Sequence, residues 1–308
     1  MSMPFASPVR TQSAISEQKI RTPLQAALRR FLKNKLAVLG LVLVVFMVAI
    51  AVLAPKIAPM SPYTSYPNGT TIQGLPLSPT WSWHHFFLGT DSSGRDEMSQ
   101  LLYGTRVSML VGFMATGITL VIGVVIGLVS GYLGGFWDNV IMRVTDVVLA
   151  FPIFLFAILL RSVVAHPTVA TVYIVIGVLG WAGIARLTRG QTLAARKVEY
   201  VESARSIGAR VPAILFKHIF PNIMGPVIVY ATLLIAQNIL LESALSFLSV
   251  GVPDPTVSWG KMINLGLSWY QTDPWLIVWP GLAIAIATLG FNLLGDGLSD
   301  ALNPRANE

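Results

Sequence analysis

Apolar residues run without interruption through six stretches of this chain, at residues 36–54, 108–129, 140–160, 169–185, 223–245 and 276–294, and polar residues gather between them. A bilayer core of about 30 Å takes about 20 apolar residues wound into a helix, so each stretch has the length of a crossing. Backbone N–H and C=O groups in hydrocarbon must be satisfied within their own segment, which predicts helices. A transmembrane β-barrel would alternate apolar and polar positions, and these runs are continuous. The pattern predicts an all-α polytopic membrane protein with six transmembrane helices. It divides the chain into a tail at 1–35, a first helix at 36–54, an outer segment at 55–106, a five-helix core at 107–296 interrupted by a loop at 186–221, and a second tail at 297–308.

Composition agrees: of 308 residues, 54% are hydrophobic and 11% charged, less than half the charge of an ordinary soluble domain. The charges are placed unevenly. Arg10, Lys19, Arg21, Arg29, Arg30, Lys33 and Lys35 precede the first helix, and Arg186, Arg189, Arg196, Lys197, Arg205, Arg210 and Lys217 fill the loop between the fourth and fifth. The opposite side carries Lys56, Arg95, Arg106 and Lys261. Basic residues mark the cytoplasmic side, so both termini and the 186–221 loop are predicted there. The net charge of +7 is then a mark of topology, and no nucleic-acid partner is expected. The first helix follows too long a basic region for a cleaved leader and reads as an anchor. Trp81, Trp83, Trp259, Trp269 and Trp275 lie near outer helix ends, as an aromatic belt would. Cysteine is absent, which excludes disulfides and thiolate metal sites.

The 186–221 loop has its own organisation. Residues 199–207 favour a short helix with Glu199 and Glu202 in its first turn, Gly208 suits the left-handed position that ends one, Pro212 can open a second, and Pro221 marks entry to the fifth span. Val201, Ala204 and Ile207 fall on one face, the small Ser203 and Ala204 permit close approach, and Glu202 is placed to cap or pair. On the residues alone two readings stand: a solvated basic connector, or a unit on which a soluble partner docks.

Elsewhere the chemistry is sparse. Asp91 and Arg95 predict a capped turn in the outer segment; Asp96, Glu97, His84 and His85 lie near it, but the spacing fits no calcium loop and no metal site is expected. Arg143 and Asp146, three apart, predict a pair on one helix face, with a contact to substrate in the pathway as the alternative for Asp146. Gln237, Asn238 and Glu242 are polar residues inside a span, read as interhelical hydrogen bonding or as lining of a pathway. Gly123, Gly127 and Gly131 form a ladder for close helix packing, and Pro152 and Pro226 predict bends. No P-loop, HExxH pair or GxSxG elbow occurs, so the chain has no visible catalytic centre for ATP or ester hydrolysis. A secondary carrier would need intramembrane ion sites, for which Asp146 and Glu242 are slender support.

The run Glu202-Ser203-Ala204, then Gly208, then His218-Ile219-Phe220-Pro221, resembles the EAA loop of ABC-importer permease subunits, with Ser203 and Phe220 departing from the usual alanine and leucine. Three further motifs are similar to the C-type subunit of dipeptide and oligopeptide importers: His85 to Asp91 with Gly94-Arg95-Asp96; Glu242 to Leu248 continuing to Gly251-Val252 and Ser258-Trp259-Gly260; and Asn292 to Asp296, Asp300 and Pro304-Arg305. The resemblance covers roughly residues 25–305. It implies the type I ABC importer permease fold, a second homologous permease completing the pathway, two ATPase subunits and an external solute-binding protein. ATP and Mg would be bound by those partners, with no cofactor in this chain. It implies that Tyr200, Val201, Glu202, Ser203, Ala204, Ile207, Gly208 and Pro221 form the ATPase-docking unit, and that Asp91, Arg95 and Asp96 contact the binding protein. The substrate implied is a dipeptide or oligopeptide, with nickel or oligosaccharides as alternatives within the same importer type.

Overall fold

A computed structural model describes residues 23–82 and 86–302; Arg10, Lys19, Arg21, Trp83, His84, His85, Pro304 and Arg305 lie outside them. The described residues form helices and connecting turns. In chain order the helices are α1 (Pro23–Lys33), α2 (Lys35–Ile57), α3 (Glu97–Leu133), α4 (Gly135–Ala150), α5 (Ile153–Val163), α6 (Val169–Leu179), α7 (Trp181–Ala195), α8 (Glu199–Ser206), α9 (Val211–Ala213), a π-helical turn (Ile214–Ile219), α10 (Phe220–Phe247), α11 (Trp259–Gly266) and α12 (Trp275–Leu302). Four continuous helical stretches are long and apolar enough to cross a membrane. Two bent pairs, α4 with α5 and α6 with α7, raise the count to six if each is one crossing.

α3 is the axis of the bundle, packing on α2, α6, α7 and α10, while α12 closes against α1, α2 and α10. The α3–α7 contact is the tightest, and the glycine ladder makes it so. A Cβ at Gly127 would stand 2.5 Å from the Ala185 carbonyl oxygen and 2.6 Å from Thr188 Cβ, and one at Gly131 would stand 2.7 Å from Thr192 Cβ. Only glycine lets two backbones come this near. Beside this seam Met109, Ile239, Trp259 and Phe291 bury themselves where α3, α10, α11 and α12 meet.

The six apolar runs are found, but the helices ignore their ends. α3 extends well beyond 108–129 on both sides, α12 continues to Leu302, and α1 occupies the end of the 1–35 tail. Polar turns at membrane faces do not stop a helix whose flank is packed: Phe31 of α1 is buried against Ala37 and Ala301, and Asn34 caps α2 by accepting from the N–H groups of Leu36 and Ala37. The run at 140–160 is broken, α5 leaving α4 at 82°. Pro152 is the cause, since the residue before a proline is driven out of the helical region and Phe151 is extended at ψ 131°.

Pro226, by contrast, sits inside α10 without a break, held by Ile223 and Val227 on its buried side. Pro221 falls in the first turn of α10, as expected of a residue at the entry to the fifth span, although the helical path is continuous back to Val211. The π turn ahead of it makes this possible: Phe220 N–H reaches back to the Leu215 carbonyl, and the widened turn relieves the clash a proline ring makes with the preceding turn. Trp259 is no belt residue; it is fully buried, under Gly104 of α3.

Candidate functional site

The hairpin from α8 to the π turn is anchored from within. Val201 is wholly buried and Ala204 nearly so, and Val201 packs in one cluster with Ile214, Leu215 and Ile219 of the π turn and with Val124 and Leu128 of α3. The face predicted from Val201, Ala204 and Ile207 is therefore split. Two of its members point into the bundle, while Ile207, at the helix end with ψ 8°, swings out and is 86% exposed. Glu202 also departs from expectation. Val198 is the N-cap and no side chain caps it, and Glu202 forms no ion pair among the described residues. Its carboxylate is exposed beside Ser203, with Tyr200 at the same surface.

α8 ends as its glycine requires. Gly208 takes φ +79°, its N–H donates to the Arg205 carbonyl and the Ala209 N–H to the Ala204 carbonyl, at 3.0 Å each. That is a Schellman closure, and it turns the chain back toward α9. Three of the loop's seven bases are bound to the helices of the bundle. Arg196 donates to the carbonyls of Gly131 and Tyr132 at the end of α3. Arg189 grips Asp138, which also accepts from Ser130. Arg186 donates to Asp146 at 2.7 Å. A fourth, Arg205, lies 5.6 Å from the centre of the Tyr132 ring. The partner of Asp146 is thus Arg186 across two helices and not Arg143 along one.

Along α10 the polar residues differ in burial, and Gln237 and Asn238 border the same groove. Glu242 is fully buried, accepting from Ser108 Oγ of α3 at 2.8 Å and from Ser246 Oγ at 2.7 Å. Asn238 donates to Thr116 of α3 at 2.9 Å. Both join helices. Gln237 is exposed and lines a groove of about 480 Å³ with Leu149, Gly180, Gly183, Tyr230 and Leu241. The Tyr230 hydroxyl overhangs Gly183, where a Cβ would approach it to 2.5 Å.

The turns ahead of α3 and α11 are built on their acids. Asp91 accepts from the N–H groups of Ser93 and Arg95 at 2.9 Å, from Arg95 Nε at 2.7 Å and from Gln100 Nε2 at 2.9 Å. Asp96 caps α3 by accepting from Ser99 N–H at 2.7 Å; burial pushes its carboxyl above the usual range, opposed by the hydrogen bonds from Ser99. Asp91 and Asp96 are buried, and their carboxylates hold the turns ahead of α3 in shape. Lys261 reaches Asp254 at 2.6 Å and, through that hydrogen bond, holds its carboxyl below the usual range. Among the described residues no group of three or more acids or histidines is placed to hold a metal ion.

Comparison with known proteins adds to this geometry. The family described as "Binding-protein-dependent transport system inner membrane component" matches residues 123–308, and the "N-terminal TM domain of oligopeptide transport permease C" matches residues 22–77. The chain is 39% identical over 285 residues to an oligopeptide transport system permease protein of Haemophilus influenzae, covering 92% of this chain and 89% of the relative. It is 41% identical over 282 residues to a dipeptide transport system permease protein of Bacillus subtilis, covering 91% and 85%. With a glutathione transport system permease protein of Pectobacterium atrosepticum the identity is 37% over 295 residues, covering 96% and 95%.

Proposed function

The chain belongs to the binding-protein-dependent transport system inner membrane component family, and from that footing we propose that it is one of two permease subunits of an ATP-driven importer of dipeptides and oligopeptides. It is a multi-pass protein of the inner membrane. The substrate class follows the relatives, whose names specify oligopeptides, dipeptides and the tripeptide glutathione. The asymmetry of Lys and Arg supports cytoplasmic termini and a cytoplasmic α8 hairpin. A second permease completes the pathway, an external binding protein delivers substrate to the outer layer, and a pair of ATPase subunits docks beneath. ATP and Mg belong to those subunits; this chain moves and does no chemistry.

The observation that carries this reading is the division of α8 into an anchored and an offered face. Val201 ties it to α3 and the π turn with Ala204 buried beside it on the same face, so a force on the hairpin reaches the bundle with little slack. Tyr200, Glu202, Ser203 and Ile207 remain outside to receive that force. Closure of the ATPases then biases the bundle between two packings, which is all that alternating access requires. Single cysteines at Ser203 and Ile207 are expected to cross-link to an ATPase subunit in the assembled complex, and one at the buried Ala204 is not. Adducts from other cytoplasmic positions, with none from Ser203 or Ile207, would overturn the docking assignment.

A further inference from the structure

Part of the apolar face of α1 is left uncovered. Ala27, Leu28, Phe31 and Leu32 fall within one arc of this helix, and Arg29, Arg30 and Lys33 lie on the other side. Phe31 is buried against Ala37 and Ala301, whereas Leu28 and Leu32 are 59% and 58% exposed. Arg29, Arg30, Lys33 and the nearby Lys35 are exposed as well, and none of the four forms an ion pair among the described residues. A helix with leucines on one face and bases on the other lies in the plane of a membrane surface and is drawn to anionic lipid.

Beside that face runs a groove of about 390 Å³ between α1, α2 and the last turns of α12, with an apolar lining that includes Ala27, Leu28, Phe31, Leu41, Leu294 and Leu298. Two of the apolar runs end at it: the first begins at Leu36 and the last stops at Leu294. From Leu294 the groove follows α12 to Leu302, eight residues farther, or about 12 Å of helix. It therefore leads from the edge of the hydrocarbon through the headgroup layer, which is about 5–8 Å deep. Leu41 joins it to the exposed stripe of α2, since Val45 follows one turn later and is itself exposed. Arg30 joins it to the bases: its Nη1 donates to the carbonyl of Ala301 at 3.5 Å, and Ala301 lines the groove. The acids of α12, Asp296 and Asp300, fall on a different face from Leu294 and Leu298, and Asn34 donates to Asp300 at 3.2 Å.

We propose that this groove seats an acyl chain of an anionic phospholipid, whose headgroup is held by Arg29, Arg30 and Lys33. The two halves of the site select the two halves of the ligand. An apolar slot that opens at the edge of the hydrocarbon suits a lipid tail, whereas a soluble partner would have to reach into the bilayer to fill it. The three bases are neighbours on the helix surface, Arg29 four residues and Arg30 three residues before Lys33. Together they offer charge-assisted hydrogen bonds to a phosphate-bearing headgroup of net negative charge. The seated lipid would fasten α1 to the end of α12. This inference goes beyond the transport reading and stands whatever the importer carries.

The test is fluorescence quenching by brominated lipids in proteoliposomes holding the complete importer, its other subunits free of cysteine. A bimane label on Leu41→Cys reports on the groove, and one on Phe46→Cys, on the exposed stripe of α2, reports on ordinary lipid. Chain-brominated phosphatidylglycerol is diluted into phosphatidylcholine, and brominated phosphatidylcholine into phosphatidylglycerol. At Leu41→Cys the brominated phosphatidylglycerol is expected to reach half-maximal quenching at a mole fraction at least about fivefold lower than the brominated phosphatidylcholine, the contribution of one base at an anionic surface. At Phe46→Cys the two lipids should quench alike. Adding Arg29→Gln, Arg30→Gln and Lys33→Gln together is expected to abolish the preference at Leu41→Cys and to leave Phe46→Cys as it was, which shows that the complex is intact. Equal quenching by both lipids at Leu41→Cys before the bases are changed would mean an unselective surface, and quenching there by neither would mean that a protein covers the groove. Either result overturns the site, as does a preference that survives loss of the three bases.

Discussion

Gly208 decides where the α8 hairpin points. Its φ of +79° costs another residue about 1–2 kcal/mol, and a Cβ there would meet nothing within 4 Å, so any penalty comes from the backbone alone. Gly208→Ala is expected to lower the melting temperature of the complex slightly and to weaken substrate-stimulated ATP hydrolysis. Gly208→Asn, which tolerates the left-handed region, should recover most of both; equal damage from the two would show that the open space matters more than the dihedral angle. Glu242 poses the opposite case, a side chain with every contact inside. Glu242→Gln keeps an acceptor for Ser108 or Ser246 and is expected to fold and transport, whereas Glu242→Leu strands both hydroxyls at a cost of about 1–3 kcal/mol, readable as a lower melting temperature.

At the scale of elements, legibility depended on whether the cause was local. The end of α8 was readable because glycine itself sets the dihedral, and the broken third span because Pro152 acts on its own neighbour. The glycine ladder of α3 was readable as a packing face, though its partner was not. Its strength can be tested. Gly127→Val would drive a side chain into the α7 backbone, so a loss on the order of 3 kcal/mol, the upper end for overpacking, is expected. Gly117→Val, on the same helix where an added Cβ meets nothing within 4 Å, should be silent in thermal melts. Failures had non-local causes. Val201 and Ala204 have the right helical spacing for a docking face, but the side that faces α3 is fixed by the fold and not by the spacing. Asp146 found Arg186 because α4 and α7 lie antiparallel at matching depth, which a three-residue interval to Arg143 does not reveal. The π turn before Pro221 left no local signature at all.

The whole molecule presents two kinds of membrane-level surface, and they predict different neighbours. α2 exposes Val42, Val45, Phe46 and Val52, an apolar stripe without a polar atom to satisfy, which suits lipid. The face made by α4, α7 and α10 exposes Asp146, Arg186 and Gln237 among its apolar residues, which suits water and a second permease. The chain contains no cysteine, so single cysteines report on each face without background. In the assembled importer Gln237→Cys is expected to react with a charged, membrane-impermeant thiol reagent, at a rate that changes between the nucleotide-free and ATP-trapped states. Phe46→Cys should react only with a lipid-soluble reagent, at one rate in both states. The hydrocarbon excludes the charged reagent whatever the local packing, so the contrast measures surroundings and not mere exposure. Were the charged reagent to reach Phe46→Cys and never Gln237→Cys, the two faces would have to exchange roles, and the groove beneath Pro152 would belong to lipid.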